Sequence, residues 1–176
     1  MHGIVAAYTL EEGINNADLV AQITITDMVK ELEGPIYQTI YSAKVNEVYM
    51  SKVDLMDSTI NILQMGNSTI RFNDNEPFQR DETYILLLMQ ARGESADYIN
   101  TYYILGEETS FYKVSEHLVT NSFWKDRTLE AIIKDTASVN EREQVTYDKE
   151  QFILKLKDLV KQQKSINEFT QNHLQN

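Results

Sequence analysis

The chain has 176 residues, 42% of them hydrophobic and 24% charged, a balance that supports a buried core and excludes a low-hydrophobicity disordered chain. The formal net charge of -11 sits in residues 1–121, which carry 7 Lys and Arg against 18 Asp and Glu, whereas residues 122–176 carry 9 of each. Such a surface repels phosphate backbones, so nucleic acid is excluded as an expected partner; the absence of Cys removes disulfides, thiolate metal sites and Cys nucleophiles, and no apolar run approaches the roughly 18–20 residues of a membrane span, so no direct membrane insertion is expected.

The first element reads as a short helix. Thr9 is its N-cap, Glu12 completes a capping box, and Gly13 or Asn15-Asn16 closes it. "ADLVAQITIT" follows as a strand with Leu19, Ala21, Ile23 and Ile25 on one face, ended by Gly34-Pro35. In "QTIYSAKVNEVYM", Tyr41, Ala43 and Val45 alternate against Ser42, Lys44 and Asn46, and the phase shifts at Val48, which predicts a bulge. "STINILQMG" is a third strand.

"EPFQRDETYILLLM" then sets a polar corner directly before a continuous apolar run, too short for a buried helix and too unbroken for a half-exposed strand. A central strand buried on both faces is expected there. "DYINTYYIL" and "TSFYKV", with a turn at Gly106-Glu107, bring the count to six short strands, the signature of an antiparallel barrel or sandwich.

After residue 121 the period changes. "SFWKDRTLEAIIKD" places Trp124, Leu129, Ile132 and Ile133 at helical spacing, and "DKEQFILKLKDLVKQQ" does so with Phe152, Leu156, Leu159 and Val160, with Asp148 as N-cap. "TASVNEREQV" between them reads as a polar linker. The expected organisation is a β-barrel domain over 1–121 and a helical extension over 122–176 packed on it, the Lys-rich face of the last helix turned toward the acidic barrel.

These segments resemble a family of exported, often lipid-anchored Gram-positive bacterial proteins of largely unknown function. The resemblance runs from about Tyr8 to Val160 through "YTLEEGINNADLVAQITI", "YSAKVNEVY", "TINILQMG", "PFQRDETYILLL", "TYYILGEETSFYKV" and "TYDKEQFILKLKDLV". The fourth segment departs from the family pattern in two ways: Asp81 stands where Gly is usual, and Pro77 lies directly beside Phe78. The resemblance implies an OB-like barrel, similar to the netrin-like modules of protease inhibitors. It also implies an extracellular or cell-surface location, with any signal segment upstream of Met1, since "MHGIVAAYT" is too short and too uncharged to be one. Protease inhibition of the netrin-like kind relies on an N-terminal Cys, which this chain lacks.

The chemical candidates are few. Ser115 and His117 lie two apart with no acid specified to orient them, so they do not define a nucleophile and base. Asp54, Asp57, Asp74, Glu76, Asp81 and Glu82 offer oxygen ligands, but at no EF-hand spacing. The six glycines form no phosphate-cradling loop, and the sequon at Asn67 is a common chance match. No cofactor is expected.

Ten tyrosines are the compositional feature that invites a binding hypothesis. Tyr98, Asn100 and Tyr102 share one face of the "DYINTYYIL" strand, a possible aromatic platform, while Phe78 and Glu82 hold the polar corner, where Glu82 can bind backbone or a basic partner. The expectation is a non-enzymatic binding or accessory module that recognises another protein through an acidic barrel surface. The alternative is a hydrolase or metal-assisted enzyme built from the loop carboxylates.

Overall fold

The structure is a computed structural model that describes residues 6–73, 75–93, 95–121, 126–139 and 142–174. It contains a helix α1 (Leu10–Asn16) and the strands β1 (Leu19–Leu32), β2 (Gln38–Ser51), β3 (Thr59–Met65), β4 (Thr83–Gln90) and β5 (Thr101–Ile104). Then come β6 (Phe111–Val114), β7 (Leu118–Asn121), β8 (Ile133–Val139), β9 (Arg142–Asp148) and a long helix α2 (Lys149–Leu174).

The first five strands close on themselves in the order β1-β2-β3-β5-β4-β1, a five-stranded barrel of the OB-like class. Its pairings are antiparallel apart from β3 with β5, which is parallel. The sheet continues out of the barrel from β4 through β6, β7 and β9 to β8.

The apolar run of β4 explains this architecture. Tyr84, Leu86 and Leu88 point into the barrel with Leu19, Ala21, Ile23, Ile25, Ile60 and Ile62. Ile85 and Leu87 face the other way, into a second core shared with Leu10 and Ile14 of α1 and with Phe152, Leu156, Leu159 and Val160 of α2. Tyr84 to Leu88 are each buried because alternate side chains feed different cores, both of which remove apolar surface from water. The four α2 residues are those expected from the helical spacing.

Strand β1 is long enough to serve two roles. Its first half, Leu19 to Thr24, pairs with β4 as well as β2, and its second half runs on with β2 alone. The phase shift expected near Val48 is present: Val20 opposes Met50 and Ala21 opposes Val48, leaving Tyr49 as the extra residue of a bulge. The capping box also forms, with the Glu12 amide donating to Thr9 Oγ1 and the Thr9 amide to Glu12 Oε2.

Helix α1 ends at Asn16, as the Asn15-Asn16 alternative has it, and Gly13 sits inside it, where a Cβ would lie 2.3 Å from Leu87 Cδ2. The missing side chain lets the helix axis approach β4. Further along the chain, the buried Asp126 accepts a hydrogen bond from the Leu10 amide and others from the Thr128 amide and hydroxyl, tying the segment after β7 to the first turn of α1.

The C-terminal third differs from expectation. Residues 122–125 of the expected first helix lie outside the described residues; the rest forms a turn, a 3-10 turn over Glu130–Ile132 and then β8. The described residues of the expected polar linker belong to β8 and β9, which pair antiparallel. Among the described residues one α-helix, not two, follows the barrel, and β8 and β9 extend the sheet where a helical appendage was expected. The cause is that β8 is an edge strand exposed at 134–137. Main-chain hydrogen bonds hold such a strand, so its side chains show no period-two apolar pattern.

Candidate binding cleft

The residues singled out at the polar corner fold inward. Phe78 is 5% exposed and plugs one end of the barrel, its ring centroid 5.4 Å from Tyr41, 4.7 Å from Tyr84 and 5.9 Å from Phe111. The buried Gln64 holds it there, accepting from the Phe78 amide at 3.3 Å and donating to the Glu76 carbonyl at 3.0 Å. Phe78 is therefore core, and no binding surface is built on it.

Glu82 is half-buried and pairs with backbone and with a base, both from within the chain. It accepts from the Gln79 amide at 3.0 Å, from the Tyr84 hydroxyl at 2.6 Å and from the Lys113 ammonium. Burial works against its charged form, but the Lys113, Tyr84 and Gln79 donors outweigh burial and hold the carboxyl below its usual range. Asp81 beside it has φ +67°, the left-handed geometry that glycine adopts freely.

The tyrosine platform is also rearranged. Residues Ala96–Tyr98 form a 3-10 turn, and the strand starts only at Thr101. Asn100 adopts φ +51°, donates from Nδ2 to the Thr59 carbonyl at 2.7 Å and offers its own carbonyl to the Asn61 amide at 2.9 Å, so it splices the chain onto β3. Tyr102 points into the barrel and is 1% exposed; burial, with the Asp18 charge nearby, pushes its hydroxyl up. The turn breaks the shared face that a continuous strand would have given Tyr98, Asn100 and Tyr102.

Tyr98 remains partly exposed, on the same cleft as Tyr103. The two help to line a cleft of about 260 Å³ on the outer side of the barrel, with Leu63 and Met65 of β3, Gln38 of β2, Ile104 of β5 and Ala91, Arg92 and Glu107 from the chain on either side of β5. Tyr103 lies opposite Leu63 in the parallel β3–β5 pairing, and its hydroxyl donates to Met89 Sδ at 3.4 Å. Leu63, Ile104 and Glu107 are buried, whereas Tyr103 is 38% exposed and Arg92 lies at the surface.

Gly93 lets the Tyr98 ring approach, since a Cβ there would be 2.7 Å from Tyr98 Cδ2. An ion pair between Lys30 and Asp97 joins this segment to the half of β1 that pairs with β2 alone. Both groups are partly exposed, so that pair contributes at most about 1 kcal/mol.

Glu107 was legible only as a turn residue. It is 2% exposed, has φ +46°, and accepts from the Met65 amide at 3.4 Å. No sequence signal separates this buried carboxylate from the solvated ones. Tyr103, Arg92 and Met65 were also missed as members of one site, because they come together only through the parallel β3–β5 contact and the fold of the β4–β5 connection.

The other carboxylates do not converge. Asp57 accepts from the Ser58 amide, Glu76 pairs with Arg71 at 2.6 Å, and Glu82 is engaged as above. Among the described residues no group of three Asp, Glu or His side chains is placed to hold a metal ion; Asp74 lies outside them. His117 is exposed, and Ser115 Oγ donates to the Leu118 carbonyl at 3.2 Å, so the two belong to an ordinary turn. On α2, Lys157 pairs with Glu47 at 2.9 Å and lies 5.6 Å from the Tyr49 ring centroid, a lysine turned toward the barrel. No helix among the described residues is long and apolar enough to cross a membrane. Compared with known proteins, the chain matches no family model and no curated sequence.

Proposed function

We propose that the protein is a non-enzymatic binding or accessory module, working outside the cell or at its surface, that recognises another protein through the cleft beside Tyr98 and Tyr103 and the acidic barrel surface around it. The observation that carries this reading is the cleft: two tyrosines, buried Leu63 and Ile104, a surface Arg92 and a buried Glu107 brought together at one place on an OB-like barrel. These groups suit recognition. A phenol, a guanidinium and a carboxylate set orientation and charge, and the cleft contains no adjacent nucleophile and base.

At about 260 Å³ the cleft is an anchor point rather than a whole interface, because protein interfaces bury about 800 Å² per partner. Further apolar surface is at hand: Ile99 is 66% exposed, and the β1–β2 hairpin that Lys30 ties to Asp97 carries Met28, Val29 and Ile36 at 50–54% exposure. The charge of -11 favours a basic partner. The resemblance to exported Gram-positive proteins supports the location.

The test is capture from a cell-envelope extract with the intact chain and with a Tyr98→Ala, Tyr103→Ala variant of unchanged thermal stability. A saturable protein partner, weakened by salt and lost with the variant, is expected. Equal capture by both chains would remove the cleft from the reading.

A further inference from the structure

We propose that Met89 is an oxidation site through which peroxide re-sets the cleft, an inference that rests, for its effect on the partner, on the binding-module reading above. The chain holds no Cys, so its six methionines carry all of its sulfur, and the thioether is its one readily oxidised sulfur group.

The fold sorts the methionines. Met56 is 83% exposed and Met28 54%, so an oxygen added to either projects into water, whereas Met50 is buried in the core beneath the two helices. Met65 lines the cleft and is half-buried. Among the described methionines only Met89 accepts a hydrogen bond on its sulfur, from the Tyr103 hydroxyl at 3.4 Å.

Met89 and Tyr103 stand directly opposite each other in the antiparallel β4–β5 pairing. Met89 packs against the core beneath the helices yet stays half-buried, within reach of a molecule as small as hydrogen peroxide, and Tyr103 lines the cleft. A change at this sulfur therefore reaches the cleft through a single side-chain contact.

The chemistry is a two-electron oxidation. The sulfur lone pair attacks one peroxide oxygen, the O–O bond breaks and an S–O bond forms; the second oxygen takes the proton of the first and leaves as water. A weak, apolar acceptor has become a polar one. The 3.4 Å gap cannot hold in line both the new S–O bond and an O–H···O bond of about 2.5–3.0 Å. The phenol must shift, away from an oxygen aimed at it or toward one aimed elsewhere, and an aromatic wall of the cleft shifts with it.

The test exposes the intact chain, 13C-labelled at its methionine methyls and tyrosine rings, to hydrogen peroxide and follows each residue by NMR. Met56 and Met28 are expected to convert first and leave the Tyr103 signals in place; Met89 converts after them with Tyr103 shifting in step, and Met50 resists while the chain is folded. In Met89→Leu, a substitution of similar volume, Tyr103 is expected to be indifferent to peroxide. Capture of the protein partner by the oxidised chain is expected to fall about twofold to tenfold, the range of a lost sulfur–aromatic contact, and capture by Met89→Leu to be the same with and without peroxide.

Tyr103 unmoved when Met89 is fully converted, Met89 as resistant as Met50, or a Tyr103 shift that persists in Met89→Leu would each overturn the oxidation site. Capture lost with Tyr98→Ala, Tyr103→Ala but unchanged by oxidation overturns its effect on the partner. The two readings fail separately: capture indifferent to the tyrosines removes the partner from the cleft, while Tyr103 tracking Met89 keeps the coupling.

Discussion

Replacing Gly13 by Ala sets two well-measured effects against each other. Gly13 lies within α1, where alanine is favoured over glycine by about 1 kcal/mol. The added methyl would sit 2.3 Å from Leu87 Cδ2, more than 1 Å inside the roughly 3.5–4.0 Å of a comfortable carbon contact. Leu87 is fully buried in β4 and packed in the core beneath both helices, so it has little room to move. Overpacking of this kind costs about 1–3 kcal/mol, and it outweighs the propensity gain.

The expected net loss for Gly13→Ala is about 1 kcal/mol, or about 2–4 °C in melting temperature for a chain of this size. Thermal unfolding followed by circular dichroism reads it. Leu87→Ala alone should cost about 2–5 kcal/mol, yet in the double variant the new methyl has space, so the pair should be less destabilised than the sum by about 1–2 kcal/mol. A melting temperature that rises with Gly13→Ala, or strict additivity of the pair, would refute the claim that close approach of α1 to β4 dictates glycine.

Three further outcomes follow from the geometry. Glu82 has its carboxyl held below the usual range, so its ionised form stabilises the fold above about pH 4.5 and that stabilisation is lost as pH falls through the lowered value; Glu82→Gln should be less stable at pH 7 and should flatten the fall in melting temperature between about pH 5 and 3, and an unchanged slope would count against the Lys113–Glu82–Tyr84 cluster. Asp81→Gly, at φ +67°, should leave stability unchanged or raise it by up to about 1 kcal/mol, while Asp81→Val should lower it by about 1–2 kcal/mol, and urea midpoints in the opposite order would contradict the left-handed turn. Ending the chain after Val160 should preserve the thermal transition, since no residue from 161 to 168 is buried, whereas ending it after Asp148 removes buried Phe152, Leu156, Leu159 and Val160 and should abolish cooperative unfolding.

The barrel was legible because burial leaves period-two patterns where one face is wet and an unbroken apolar run where neither is. Ile60 and Ile62 gave the first signal, and Tyr84 to Leu88 the second. The phase slip at Val48 showed a bulge because every side chain beyond it changes face. The pairing of β8 with β9 was illegible for the opposite reason: its exposed strand is held by main-chain hydrogen bonds, which any sequence can make.

The cleft was half legible. Tyrosine excess pointed to the region around residue 98, but the split between a 3-10 turn and a four-residue strand depends on Asn100 at positive φ, and asparagine in a turn reads no differently from asparagine in a strand. Tyr102 and Phe78 were drawn into the cores, where large aromatic rings contribute most by leaving water. Tyr103, the next residue along β5 from the inward Tyr102, points the other way and stays 38% exposed.

The bond from the Leu10 amide to Asp126 spans 116 residues. At a synthesis rate of about 5–20 residues per second, roughly 6–23 s separate the making of α1 from the arrival of its buried cap. For the first part of that interval Leu10 and Ile14 also lack β4, and for all of it they lack α2, the elements whose side chains they pack against. Helix α1 is thus made well before the segment that secures its first turn.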